Sequence, residues 1–61
     1  MARVIWQEQE QIEHLTFDND TKAAAFALAL SRDDGILCCL NTDDGRMVRY
    51  APETGAAELI S

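Results

Sequence analysis

The sequence predicts an all-β domain, an antiparallel meander sheet of four to five strands, on three observations. Short turn signals recur as Asp33-Asp34-Gly35, Asp43-Asp44-Gly45 and Pro52-Glu53-Thr54-Gly55. Apolar runs lie between them at 23–31, 36–41, 46–51 and 56–60. When the three loops are closed as hairpins, the large apolar side chains fall on one face. Turns about ten residues apart are the mark of a meander. A glycine ending an acidic loop takes the left-handed conformation that closes a three-residue hairpin.

Each element follows in order. The segment 3–17 holds Gln7-Glu8-Gln9-Glu10-Gln11, good helix material, with Ile5, Ile12 and Leu15 at heptad-like spacing. Glu8 interrupts that stripe. The alternative is a charged edge strand, joined through Asp18-Asn19-Asp20 to the next element, with Ile12 opposite Phe26. Charge on an edge guards against edge-to-edge pairing. Strand and helix are nearly balanced here, and strand is favoured slightly. The segment 22–32 alternates small and large, Ala25-Phe26-Ala27-Leu28-Ala29-Leu30. Period two favours a strand. Its alanines, with Asp20 or Thr21 as a cap and Gly35 beyond the end, make a helix the competing reading.

Strands near 36–42, 46–51 and 56–60 complete the meander. Their register puts Leu40 opposite Val48, Cys38 opposite Tyr50, Tyr50 opposite Ala57, Val48 opposite Leu59 and Arg49 opposite Glu58. With Leu30 opposite Cys38 and Leu28 opposite Leu40, one face collects Phe26, Leu28, Leu30, Ile36, Cys38, Leu40, Val48, Tyr50 and Leu59. A slip of one residue would scatter this set over both faces. If the N-terminal segment is instead a helix packed on the sheet, the fold is α+β.

Residues 26–60 resemble one blade of a β-propeller. The resemblance is carried by Ala29-Leu30-Ser31-Arg32-Asp33-Asp34-Gly35 and by Asp44-Gly45-Arg46-Met47-Val48-Arg49-Tyr50-Ala51-Pro52-Glu53-Thr54-Gly55. It implies a four-stranded meander. A complete propeller needs several blades, and the chain holds one such unit.

Size and charge limit the function. At 61 residues and 6.8 kDa the chain makes a single small acidic domain, 1–61. A chain this short gains a thin stability margin and has little material for a deep catalytic cleft. Eleven Asp and Glu against five Lys and Arg give a net charge of -6. That argues against direct binding to nucleic acid or an anionic membrane, both of which require a basic surface. A hydrophobic fraction of 48% argues for a folded domain. The longest apolar run, Ala23 to Leu30, is far shorter than a membrane span. No secretory leader pattern opens the chain. Cys38 and Cys39 are adjacent and point to opposite faces of a strand, so they read as reduced thiols in a cytoplasmic protein.

No constellation for chemistry emerges. His14 is the single histidine and has no nucleophile motif beside it. The two cysteines lack zinc-site spacing. Asp18-Asn19-Asp20 begins like a calcium loop, but the sixth and twelfth places hold Ala23 and Ala29. The expectation is no catalytic residue, no metal and no cofactor.

The second face of the expected sheet decides the function class. It carries Ala25, Ala27, Ala29, Leu37, Cys39, Met47 and Ile60, interrupted by Asn41 and the Arg49/Glu58 pair. An apolar face requires a cover. The sequence thus predicts a non-enzymatic interaction module. It self-associates, most simply as a dimer, and binds a protein partner with a basic surface, one form being a small inhibitor that mimics nucleic-acid charge. The expected partner-binding residues are Trp6, Glu8, Glu10, Ala25, Ala27, Ala29, Leu37 and Cys39. The alternative is a structural subunit, or an isolated propeller-type repeat, completing a larger all-β assembly.

Overall fold

The computed structural model describes residues 1–55 and 57–60. Five strands and one helix follow in the order β1 (Ala2–Glu8), β2 (Gln11–Phe17), α1 (Asp20–Asp33), β3 (Cys38–Asn41), β4 (Met47–Tyr50) and β5 (Ala57–Leu59). The strands form one antiparallel sheet in the spatial order β2-β1-β3-β4-β5. The helix covers one face of it. The protein is therefore sheet-dominated, but it is not all-β.

The C-terminal half carries the expected register. Leu40 faces Val48, Cys38 faces Tyr50, Tyr50 faces Ala57, Val48 faces Leu59 and Arg49 faces Glu58. The Asp43-Asp44-Gly45 loop closes as a three-residue hairpin. Gly45 has φ +87°, the Gly45 amide donates to the Thr42 carbonyl at 3.1 Å, and the Thr42 amide donates to the Arg46 carbonyl at 2.9 Å. The expected strand at 56–60 is found at Ala57–Leu59; Ala56 lies outside the described residues.

The strand expected at 22–32 is corrected to helix α1. Asn19 caps it, its side chain accepting from the Lys22 amide at 2.9 Å. Asp20 in the first turn and Arg32 in the last complement the helix dipole. At the other end the Ile36 amide reaches back to the Leu30 carbonyl at 3.2 Å, and Gly35 follows the cap with φ +68°. The buried residues Ala23, Ala27, Leu30 and Ser31 lie at helical spacing. Small alanines on that stripe let the helix axis come close to the sheet. The period-two pattern of 25–30 thus arises from a helix whose alanines alternate with larger residues. Leu28, expected in the core, is 36% exposed.

The place expected for 22–32, beside β3, belongs to β1. Val4 faces Leu40, Ile5 faces Cys39 and Trp6 faces Cys38. The N-terminal segment is neither one strand nor a helix on the sheet. It is a hairpin, β1–β2, folding at Gln9-Glu10, with Glu8 opposite Gln11 and Ile12 opposite Gln7 rather than Phe26. Gln9 has φ +57° and is the one described non-glycine residue with positive φ. A two-residue loop with positive φ at its first position alone is the type II′ arrangement. The core under the helix comprises Ala2, Val4, Cys38, Leu40 and Tyr50 with Ala23, Ala27 and Leu30. Phe26 fills its flank against Phe17 and Trp6, at centroid distances of 5.3 and 5.6 Å.

Candidate interaction surfaces

Opposed residues of an antiparallel sheet share a face, so the register assigns every strand residue to one of two environments. The face without the helix carries Thr16, His14 and Ile12 of β2; Arg3, Ile5 and Gln7 of β1; Asn41 and Cys39 of β3; Met47 and Arg49 of β4; and Glu58 of β5. Ile12 is 68% exposed there. Leu37 and Ile60, which extend the same alternation beyond β3 and β5, are 47% and 50% exposed. The Leu37–Cys39–Met47–Ile60 set predicted from sequence does share this face.

The alanines do not. Ala25 and Ala29 lie on the exposed side of α1, and Ala27 is buried between helix and sheet. Their expected role in sheet-to-sheet contact is corrected: their small size serves helix-to-sheet packing. Trp6 is half-buried beneath Phe26, a core-flank residue more than a free anchor. Glu8 and Glu10 stand exposed at the β1–β2 turn. Sequence reasoning missed Ile5, Ile12 and His14, because it ran 3–17 as one element and set Ile12 opposite Phe26 on the core face, where the structure pairs it with Gln7.

The cysteines show the two environments side by side. The Cys38 thiol is buried under α1 and donates to the Ala27 carbonyl at 3.4 Å. Burial pushes its pKa up to about 11, with the neighbouring Cys39 adding to the effect. Cys39 is half-buried on the helix-free face, and both thiols are free. Burial also raises the Tyr50 phenol.

Charge is distributed unevenly between the ends of the sheet. At the end where α1 begins, acids have internal partners. The Met1 ammonium pairs with Asp43, Lys22 with Asp18 at 3.6 Å and Arg46 with Asp44 at 3.2 Å. The Asp20 carboxylate accepts from the Asp43 amide at 2.8 Å, tying helix to loop. The Thr42 hydroxyl donates to Asp44 and lowers its pKa, with Arg46 assisting. The hydrogen bond and charge of Asp43 hold the Met1 ammonium protonated to higher pH. A shallow recess of about 350 Å³ opens at this end, lined by Met1, Arg3, Thr16, Asn41 and Thr42.

The opposite end gathers the β1–β2 turn, the C-terminus of α1 and the β4–β5 loop. Arg49 approaches Glu53 there at 3.9 Å, rather than its cross-strand neighbour Glu58. Glu8, Glu10, Asp33 and Asp34 make no ion pair among the described residues. The Asp33/Asp34 and Asp43/Asp44 pairs thus lie at opposite ends of the molecule. Among the described residues, no three His, Cys, Asp or Glu side chains are grouped to hold a metal ion. No helix among the described residues is long and apolar enough to cross a membrane. No family model, curated protein or solved structure matches the chain.

Proposed function

We propose that this chain is a non-enzymatic interaction module that self-associates and presents its acidic end to a protein partner with a basic surface. One observation carries the reading: the acids at the end where α1 begins have internal partners, whereas Glu8, Glu10, Asp33 and Asp34 lack them. These four exposed carboxylates outnumber the one exposed arginine beside them, Arg32, and an excess of negative charge steers a complementary partner and sets its orientation. A basic groove that ordinarily takes a nucleic acid is one such partner, and occupying it would make the chain an inhibitor by charge mimicry. The two free thiols accord with a reducing, cytoplasmic setting.

The test is affinity capture from the native cell, followed by measurement of the recovered complex against salt. Binding should weaken as salt rises. Glu8→Gln, Glu10→Gln, Asp33→Asn and Asp34→Asn combined should weaken it strongly, whereas Asp18→Asn should not. A salt-independent affinity, unmoved by the four neutralisations, would refute the acidic-end reading.

A further inference from the structure

The outer edge of β2 is the longest unpaired backbone in the described sheet. Seven residues, Gln11–Phe17, pair with β1 in unbroken register and have no neighbour on their other side. Bulges, prolines, charged side chains (lysines above all) or a short length ordinarily blunt such an edge. Gln11–Phe17 contains no proline and no lysine, its ladder has no bulge, and Glu13 is its one carboxylate. The other edge, β5, is three residues long.

Hydrogen-bond parity shows what this edge offers. The two-residue turn makes Glu8 and Gln11 a hydrogen-bonded pair, and such pairs alternate with non-bonded ones along the ladder. Trp6/Glu13, Val4/Leu15 and Ala2/Phe17 are then the bonded pairs. Ile12, His14 and Thr16 must direct both backbone N–H and C=O outward. The same parity, carried across the sheet, makes Thr42/Arg46 and Met47/Ile60 bonded pairs. Both bonds are present: Thr42 to the Arg46 carbonyl, and Ile60 to the Met47 carbonyl, each at 2.9 Å.

From this edge the geometry points to a two-fold dimer in which β2 pairs antiparallel with β2 of a second copy, centred on His14. The inference rests on the self-association part of the reading above and names its surface. Among two-fold registers, one uses all three outward residues: Ile12 opposite the partner's Thr16, His14 opposite the partner's His14, and Thr16 opposite the partner's Ile12. It forms about six backbone hydrogen bonds, two for each bonded pair. It also places Glu13 opposite the partner's Leu15, where the register centred on Glu13 would put two carboxylates face to face. A two-fold axis closes the assembly and leaves no β2 edge to propagate.

The axis places two imidazoles opposite one another on the helix-free face. Facing His14 from β1 is Ile5, with Arg3 and Gln7 on either side of it; Ile12 and Thr16 flank it along β2. Arg3 is the only charged group among these, and no helix covers this face. The second copy adds its own His14, Ile12 and Thr16. Like charges directly opposite across a ladder are destabilising. Two fixed positive charges at position 14 should therefore weaken the dimer.

The experiment is light scattering coupled to size exclusion on the whole chain across a concentration series. Wild type should dimerise. Thr16→Pro removes an outward N–H without touching the β1 ladder and should give a folded monomer. His14→Lys, which sets two like charges opposite one another on the axis, should raise the dissociation constant about fivefold, whereas His14→Gln should dimerise as wild type does. A wild type that stays monomeric at every concentration would overturn self-association itself. A dimer that survives Thr16→Pro at wild-type affinity would overturn the β2 edge while leaving self-association standing. An edge dimer as tight in His14→Lys as in wild type would overturn the placement of His14 on the axis.

Discussion

The two faces of the sheet are made by the same strands and differ by one residue in register. Val4, Cys38, Leu40 and Tyr50 meet the helix and are buried; Ile5, Cys39, Asn41 and Arg49, each next to one of them in sequence, meet none. Apolar residues thus do different work on the two faces, Ile5 and Cys39 being as apolar as Val4 and Cys38 beside them. Under α1 they hold the fold together by removing apolar area from water. On the other side they remain available to a partner. A small chain with one helix can cover one face of five strands, and the helix-free face and the β2 edge are what it leaves.

The largest effect that would break this comparison is a leucine truncation on each side. Leu40 is 2% exposed, and Leu40→Ala should cost about 2–5 kcal/mol, enough to threaten folding in a domain of this size. Leu37 is 47% exposed, and Leu37→Ala should cost no more than about 0.5 kcal/mol. Leu28→Ala on the outer side of α1 should resemble Leu37, not Leu40. Urea denaturation of the three variants decides it; equal losses at Leu40 and Leu37 would remove the distinction between the faces.

Alkaline titration sharpens the comparison at the adjacent cysteines. The folded Cys38 thiol titrates near 11 against an ordinary value of 9.0. Its folded value lies above the unfolded one, so the stabilisation is complete below pH 9 and is lost as pH climbs from about 9 to about 11. The loss attributable to this thiol should approach about 2–3 kcal/mol. In Cys38→Ala the decline over that window should be shallower, the remainder coming from groups such as Tyr50, whose phenol is also raised by burial. In Cys39→Ala, where burial of Cys38 persists and only the smaller contribution of its neighbour is lost, the decline should stay much closer to wild type than in Cys38→Ala.

How much of this was legible in the sequence divides along the chain. The β3–β4–β5 register was readable because its loops announce themselves: Gly45 and Gly55 sit at positive φ, where a glycine is expected, and the apolar alternation between them is clean. The helix was not, because Ala25 to Leu30 mimics a strand and because Asn19, its cap, was read as part of a turn. Ala23, Ala27 and Leu30 at helical spacing were the available signal. The β1–β2 turn gave no signal at all, since Gln9-Glu10 is not a turn-forming pair by composition. Half of the candidate surface was legible, Leu37 and Cys39 on the helix-free face with Glu8 and Glu10 at the acidic end. The alanines were assigned by a strand that does not exist.

That hidden turn supplies the smallest expected effect. Gln9 adopts φ +57°, a region that costs an L-residue about 1 kcal/mol or more and a glycine almost nothing. Gln9→Gly should therefore stabilise the protein by roughly 0.5–1 kcal/mol, read as a raised melting temperature. A destabilised variant would mean that the hairpin turns elsewhere, and the division of β1 and β2 residues between the two faces would shift with it.

The most direct test of a sheet covered on one side only is thiol labelling at neutral pH, with the modified residue located by mass spectrometry. Cys39, half-buried on the helix-free face, should react on the native protein. Cys38, 2% exposed and bonded to the Ala27 carbonyl, should react only through unfolding. One modified residue per native chain, and that residue Cys39, is the expected result. Labelling of Cys38 as fast as Cys39 would contradict the placement of α1 and, with it, the assignment of the two faces.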